Sequence, residues 1–220
     1  MTIYDVSMAI QPGMAVYKNK EEKRPLLKQT TRGHVTETLL TMNLHTGTHI
    51  DAPLHMVPEG EDMAVYRLDQ FMGKALVVPV PEDVDVLTGE IIQEVMAGLN
   101  TPVELTGFDG LFVLFKTRNS FVDGFDPNFV YLAADGAEFL RAGGAKGVGI
   151  DALGIERGQA DHPAHRILLQ GYIPVLEGLR LKEVPPGLYT LIALPLSIEE
   201  VEAAPVRAIL LEGSCDFLEG

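Results

Sequence analysis

The chain has 220 residues, 46% apolar and 22% charged. That is an ordinary globular mix, long enough to bury a core and unlike a disordered or collagen-like chain. A formal charge of −14 repels phosphate backbones and excludes nucleic acid as the expected partner.

The start, Met1-Thr2-Ile3-Tyr4-Asp5, has neither the basic nor the apolar region of a signal peptide. Tyr4–Ala9 and Thr36–Leu44 read as strands, with an exposed polar arm, Lys18–Arg24, between them. Lys74–Val80 reads as a strand ended by prolines, and Thr88–Leu99 as a helix with Ile91, Ile92, Val95, Met96 and Leu99 on one side. Gly110–Phe115 is an apolar run of strand length, too short to cross a bilayer. Ala133–Ala142 is a helix stopped by Gly143-Gly144, followed by a buried strand, Lys146–Asp151. Strand, helix and strand in this order imply a parallel sheet, whose ligands sit beyond the carboxyl ends of the strands. Asp151 and Lys116-Thr117-Arg118-Asn119 occupy such places. A helix over Pro163–Gln170 begins on proline and stops at Gly171, and Tyr172–Leu176 is a strand carrying Glu177 at its end. Leu188–Leu194 and Val206–Leu211 form a last strand pair. Cys215 has no partner for an internal disulfide, fits a reducing compartment and reads as an incidental thiol. With no linker-like block and no repeat, residues 1–220 read as one soluble, cytoplasmic domain without a membrane partner.

His45, His49, Asp51 and His55 fall within eleven residues. Imidazole and carboxylate are the usual ligands of zinc and manganese. In a straight strand His45 and His49 would stand about 13 Å apart, too far to share an ion. The backbone therefore has to curl. Gly47 can take positive φ at the midpoint, Thr46 and Thr48 can bond local backbone, and Pro53 stiffens the approach to His55. The segment reads as a bent loop, because Thr-Gly-Thr is a poor helix former. His165, near a helix start, and Glu177, at the end of the next strand, form a weaker pair. The helix climbs roughly 9 Å and the strand returns roughly 16 Å, which brings the two side chains to similar heights.

These residues resemble the cyclase family of metal-dependent hydrolases, which includes bacterial kynurenine formamidase and isatin hydrolase. The family carries His-x-Gly-Thr-His-x-Asp-x-Pro-x-His, and residues 45–55 match all seven fixed positions. Pro12–Tyr17, Val148–Asp151, Ala164–Leu169 with Glu177, and Ala204–Arg207 extend the likeness along nearly the whole chain. The resemblance implies an α/β fold, a swivelling β/β/α domain with a central, mostly parallel sheet and a second antiparallel sheet, assembled as a homodimer or homotetramer. It implies His45, His49 and Asp51 as ligands of a first metal. Asp51 would bridge to a second ion held by His165 and Glu177 in two-zinc relatives; others hold a single Mn2+ in place of Zn2+. His55 takes the place of the catalytic acid–base, although a further ligand or an orienting residue also suits it. Tyr17 stands where kynurenine formamidases place a substrate-stacking tryptophan, and an ordinary packed tyrosine is the other reading. The chain contains no tryptophan, and Ala152–Glu156 lacks the proline–serine pair common in relatives. Both departures concern the substrate and leave the ligand set intact.

The implied activity is hydrolysis of a small-molecule amide by metal-activated water, with His55 passing a proton to the leaving nitrogen. Ring opening of an isatin-type cyclic amide, a cyclase or dehydratase reaction, and a non-catalytic metal-binding role are the rivals.

Overall fold

A computed structural model describes residues 2–99 and 107–213, so Cys215 lies outside the described residues. In chain order the elements are β1 (Ile3–Asp5), β2 (Leu26–Arg32), β3 (Val35–Thr41), β4 (His49–Asp51), β5 (Met72–Pro79), β6 (Val86–Leu87), α1 (Gly89–Ala97), β7 (Phe112–Lys116), β8 (Tyr131–Leu132), α2 (Ala134–Ala142), β9 (Gly147–Ile150), α3 (Pro163–Gln170), β10 (Val175–Glu177), β11 (Gly187–Ile192), β12 (Ala203–Pro205) and β13 (Ile209–Glu212).

Among the described residues nine strands form one mixed sheet in the order β1-β13-β11-β5-β7-β9-β10-β4-β12. Its centre, β5-β7-β9-β10, is parallel, and the strands to either side are antiparallel. A separate antiparallel pair, β2–β3, stands apart, and β6–β8 form a short parallel pair. The fold is the expected α/β architecture.

The central strands are apolar on both faces because both are covered. Val113, Phe115, Val148 and Ile150 enter one core with residues of α1, α2 and α3, while Ala75, Val77, Phe112 and Leu114 enter a second core on the opposite face. Thr88 caps α1 through its Oγ1, which accepts the Ile91 N–H at 3.2 Å. Pro163 opens α3 as its sequence suggests.

Three readings need correction. β2 is a strand where no strand was expected: it pairs only with β3 and exposes every residue, so it lacks the apolar alternation that marks a half-buried strand. β1 ends at Asp5, short of Ala9, where the Asp5 carboxylate accepts the Ser7 N–H at 3.2 Å. β4 and β12 are three-residue strands, too short to give a period. No helix among the described residues is long and apolar enough to cross a membrane.

Candidate metal centre

The centre is built on β4, held between β10 and β12. His49 lies opposite Glu177 on one side and Pro205 on the other, and Asp51 lies opposite Val175 and Ala203. Ile50, between them, points into the core and is fully buried. Alternation along a strand thus sends His49 and Asp51 together to the face that carries Glu177.

The approach to β4 bends as expected. Gly47 has φ +75°, and a Cβ there would meet Ile10 Cδ1 at 2.7 Å, so the position requires glycine on two counts. The threonines brace this bend through distant parts of the chain and not through local backbone. Thr46 Oγ1 donates to Lys23 O at 2.7 Å, Thr48 Oγ1 donates to Gly178 O at 2.7 Å, and the Met8 N–H donates to Thr48 Oγ1 at 2.8 Å. The curl brings the His45 and His49 rings to 5.0 Å. A single turn over Pro53–His55 then folds His55 back, 4.1 Å from the His45 ring and 5.8 Å from His165.

His165, in the first turn of α3, and Glu177, ending β10, meet as the sequence geometry suggested, with Nε2 and Oε1 3.2 Å apart. All six residues of the candidate centre therefore converge: His45, His49, Asp51, His55, His165 and Glu177. Three residues escaped sequence reading. Glu202 faces His45 Nε2 at 3.2 Å. Glu156, buried, stands 2.8 Å from His165 Nδ1 and accepts the His165 backbone N–H at 3.1 Å, so it caps α3 and orients its histidine. His162 lies beside them, its ring 6.1 Å from that of His165. The one available signal was the acid Glu156 nine positions before His165, which carries no meaning until the loop closes.

The donor set fits a divalent cation. His49 Nδ1 faces Gly47 O at 3.0 Å, which leaves its Nε2 directed at Asp51 Oδ1 (3.4 Å) and Glu177 Oε2 (3.3 Å). His49 Nε2 and both Asp51 oxygens are buried with no hydrogen-bond partner. Acceptors facing acceptors in a buried site cost several kcal/mol unless a cation or proton lies between them. Two groups, His45/Asp51/His55 and His49/Asp51/Glu177, share Asp51, and each offers donor atoms within 4.8 Å of one another; Glu156/His162/His165 offers a third. A carboxylate common to two donor groups is what bridging of two ions requires.

Charge in the metal-free centre follows the same geometry. Burial opposes the imidazolium of His49, yet Asp51 and Glu177 outweigh it and raise this histidine to about 10. His165 behaves alike, raised to about 10 by Glu156 and Glu177 against burial. Burial raises Asp51 and Glu177, and the histidines around them outweigh it, holding both carboxyls well below their usual range. His55 is the exception: burial lowers it to about 4, although Asp51 pulls the other way. It is a neutral base at pH 7 beside cations and anions that hold fixed charge.

A cavity of about 220 Å³ opens over the centre, walled by Tyr17, Met56, Leu153 and Gly154, with Lys18 and Lys23 at its edge. Tyr17 is packed and also borders the cavity. Its ring lies edge-on to Phe125 at 5.3 Å while it lines the cavity. A larger cavity, about 440 Å³, lies beyond Leu153 and holds none of these imidazoles. Asp151 borders that one, and its carboxylate accepts five hydrogen bonds, from Thr117 N and Oγ1, Asn119 Nδ2 and Ser120 N and Oγ. The strand-end rule that drew attention to Asp151 and Lys116–Asn119 therefore marks a brace between two loops.

The sequence matches the family model described as "Putative cyclase" over residues 4–157. This chain belongs to the cyclase family. The family match contains the whole His45–His55 segment and stops before His165 and Glu177. A kynurenine formamidase from Salinibacter ruber (strain DSM 13855 / M31) is 36% identical over 216 residues, 96% of this chain and 97% of that enzyme. A solved structure of the family, "The Structure Of Potential Metal-Dependent Hydrolase With Cyclase Activity", superposes with a TM-score of 0.85 at 42% identity, covering 97% of this chain and 99% of that one. An isatin hydrolase bound to the product analogue thioisatinate shares the cyclase fold, with a TM-score of 0.79 at 21% identity over 96% of this chain and 92% of its own.

Proposed function

We propose that this chain is a metal-dependent hydrolase that cleaves a non-peptide amide C–N bond, of the arylformamidase kind, in a small molecule. The carrying observation is Asp51: fully buried, without a hydrogen bond to either oxygen, and shared by two groups of metal-ligating atoms. The near full-length relationship to a kynurenine formamidase supports the reaction class.

The family resemblance assigns His45, His49 and Asp51 to a first ion and Asp51, His165 and Glu177 to a second, whereas the donor atoms of this chain group His45 with Asp51 and His55, and His49 with Asp51 and Glu177; Asp51 would be shared in either arrangement. Nitrogen and carboxylate oxygen suit Zn2+, and Mn2+ is the alternative. A bound divalent ion supplies a Lewis acid and a water acidic enough to react near neutral pH. His55 accepts a proton during attack and returns one to the leaving nitrogen, a role that its neutral state at pH 7 permits. Glu156 holds His165 Nδ1, and the Ile155 N–H holds Glu177 Oε1 at 2.6 Å, so both side chains are fixed before substrate arrives. Tyr17, Met56 and Leu153 form an apolar wall for an aryl group. Lys18 and Lys23, at the cavity edge, suit a substrate that carries a carboxylate.

The test is a panel of N-formyl arylamines and cyclic amides, assayed on the protein as purified, after chelation, and after return of zinc or manganese. Turnover of a formamide that chelation abolishes and metal restores is the expected result. Ring opening of a cyclic amide in preference moves the reading toward the isatin type. A protein that binds metal and turns over no member of the panel is a binding protein, and the hydrolase reading fails.

A further inference from the structure

Arg166 is the charged residue beside the centre for which neither the fold nor the chemistry has a use. It follows His165 in the first turn of α3, and its backbone N–H donates to His162 O at 3.1 Å. The side chain is half-buried, and its Nε is fully buried with no hydrogen-bond partner. The chain carries 31 acids against 17 lysines and arginines, and Arg118, Arg141 and Arg207 each pair with an acid. Arg166 forms no ion pair with a described residue. A buried donor without a partner costs stability, the more so when it belongs to a charged group, so Arg166 points to an acceptor from outside the chain.

Its place in the molecule says what that acceptor is attached to. Arg166 lines a groove of about 380 Å³ together with the apolar side chains of Leu54, Val57 and Pro58. His55, Met56 and His162 line both this groove and the cavity over the centre, so the two spaces meet at His55. The turn beside the groove is held in an unusual shape: Asp161 and His162 both take left-handed backbone, with φ +62° and +48°, which is costly for residues other than glycine. Asp161 borders the groove but is exposed and makes no ion pair with Arg166. A molecule whose reacting amide lies at the centre can therefore send an apolar chain past His55 and Met56 to the guanidinium.

We propose that Arg166 is a specificity-determining residue: it takes the carboxylate at the far end of a substrate that spans the cavity and the groove. The proposal rests on the hydrolase reading and deepens it by placing the substrate's charge. Two sets of cations can meet an anion here, and their surroundings decide between them. Lys18 and Lys23 border the cavity, and both ammonium groups already sit over the Tyr17 ring, at 5.2 and 5.6 Å from its centre. Arg166 has no such partner. Its planar guanidinium offers parallel N–H donors that match the two oxygens of a carboxylate, which a lysine cannot do. The half-buried stem also keeps the charge in one place, so the distance from the centre to the guanidinium selects the length of the substrate.

N-formyl arylamines that carry a carboxylate on chains of increasing length, assayed beside their methyl esters on the metal-loaded protein, test this. The wild type should prefer the acid to its ester at least about tenfold in kcat/KM once the chain passes His55. Arg166→Met should collapse that preference through KM, and Arg166→Lys should restore part of it, because charge returns without the planar fork. Lys18→Met/Lys23→Met should leave most of the preference in place. Zinc content should match the wild type; loss of zinc from both Arg166 variants would make the residue a support for His165 and overturn the proposal. Calorimetric titration of 4-phenylbutanoate and its methyl ester into the same proteins reads the preference without turnover. If no formamide reacts, the hydrolase reading fails while this titration still decides Arg166. Equal treatment of acid and ester by the wild type at every chain length, a preference that survives Arg166→Met because the carboxylate binds the ion instead, or one that vanishes with the two lysines would each overturn the proposal.

Discussion

Asp51 and Asp151 are both buried aspartates at the ends of sheet strands, and the sequence draws attention to both. Their surroundings differ in kind. Asp151 accepts five hydrogen bonds from three neighbouring residues. Asp51 accepts none and faces imidazoles. A carboxylate whose lone pairs are all used by its own chain holds loops together; one left without donors is reserved for something the chain does not supply. Burial alone does not separate the two.

The contrast can be broken from either side. Replacing Asp51 by alanine should lower kcat at least about 10³-fold and abolish metal retention, with little loss of fold; elemental analysis and activity on one sample decide. An Asp51→Ala protein that keeps its metal and loses stability would erase the distinction. His55→Ala should keep the metal and lose about 10²- to 10⁴-fold in kcat. Full activity in that variant would remove His55 from the chemistry. Asp151→Asn places an amide N–H2 against existing donors and should cost about 3 kcal/mol in urea unfolding, with metal content unchanged.

The next effect depends on pH. In the metal-free protein His49 and His165 are raised to about 10 from an ordinary 6.5. Their folded pKa exceeds the unfolded one, so the stability they contribute is complete below about 6.5 and is lost as pH rises through about 10. Chelated protein should therefore show a Tm that falls from neutral to alkaline pH, and metal-loaded protein a flatter curve, because the ion has replaced those protons. Parallel curves would contradict the assigned geometry. The smallest effect should come from Tyr17→Ala, about a fivefold rise in KM with kcat less affected.

Much of this was legible in the sequence. The His45–His55 spacing demanded a bend, and Gly47 supplied it. The helix from Pro163 and the strand ending at Glu177 placed their side chains together because rise per residue is nearly constant in each element. What stayed hidden depended on contacts between distant segments. Glu156 and Glu202 acquire meaning only when loops close on His165 and His45. β2 was invisible because a strand with both faces in water has no period. The threonines were read as local braces, yet Thr48 bonds Gly178, 130 residues away.

That last bond has a consequence for how the protein comes into being. β4 has no place to lie until β10 exists, since His49 pairs with Glu177 across the sheet. On a ribosome the histidine motif emerges early and waits, holding three of its five proposed metal ligands, while more than half of the chain is still to be made. Pairings so distant in sequence form slowly. Completion of the cation site and closure of this side of the sheet are thus one event, and a nascent chain cannot be fully loaded before it is nearly finished.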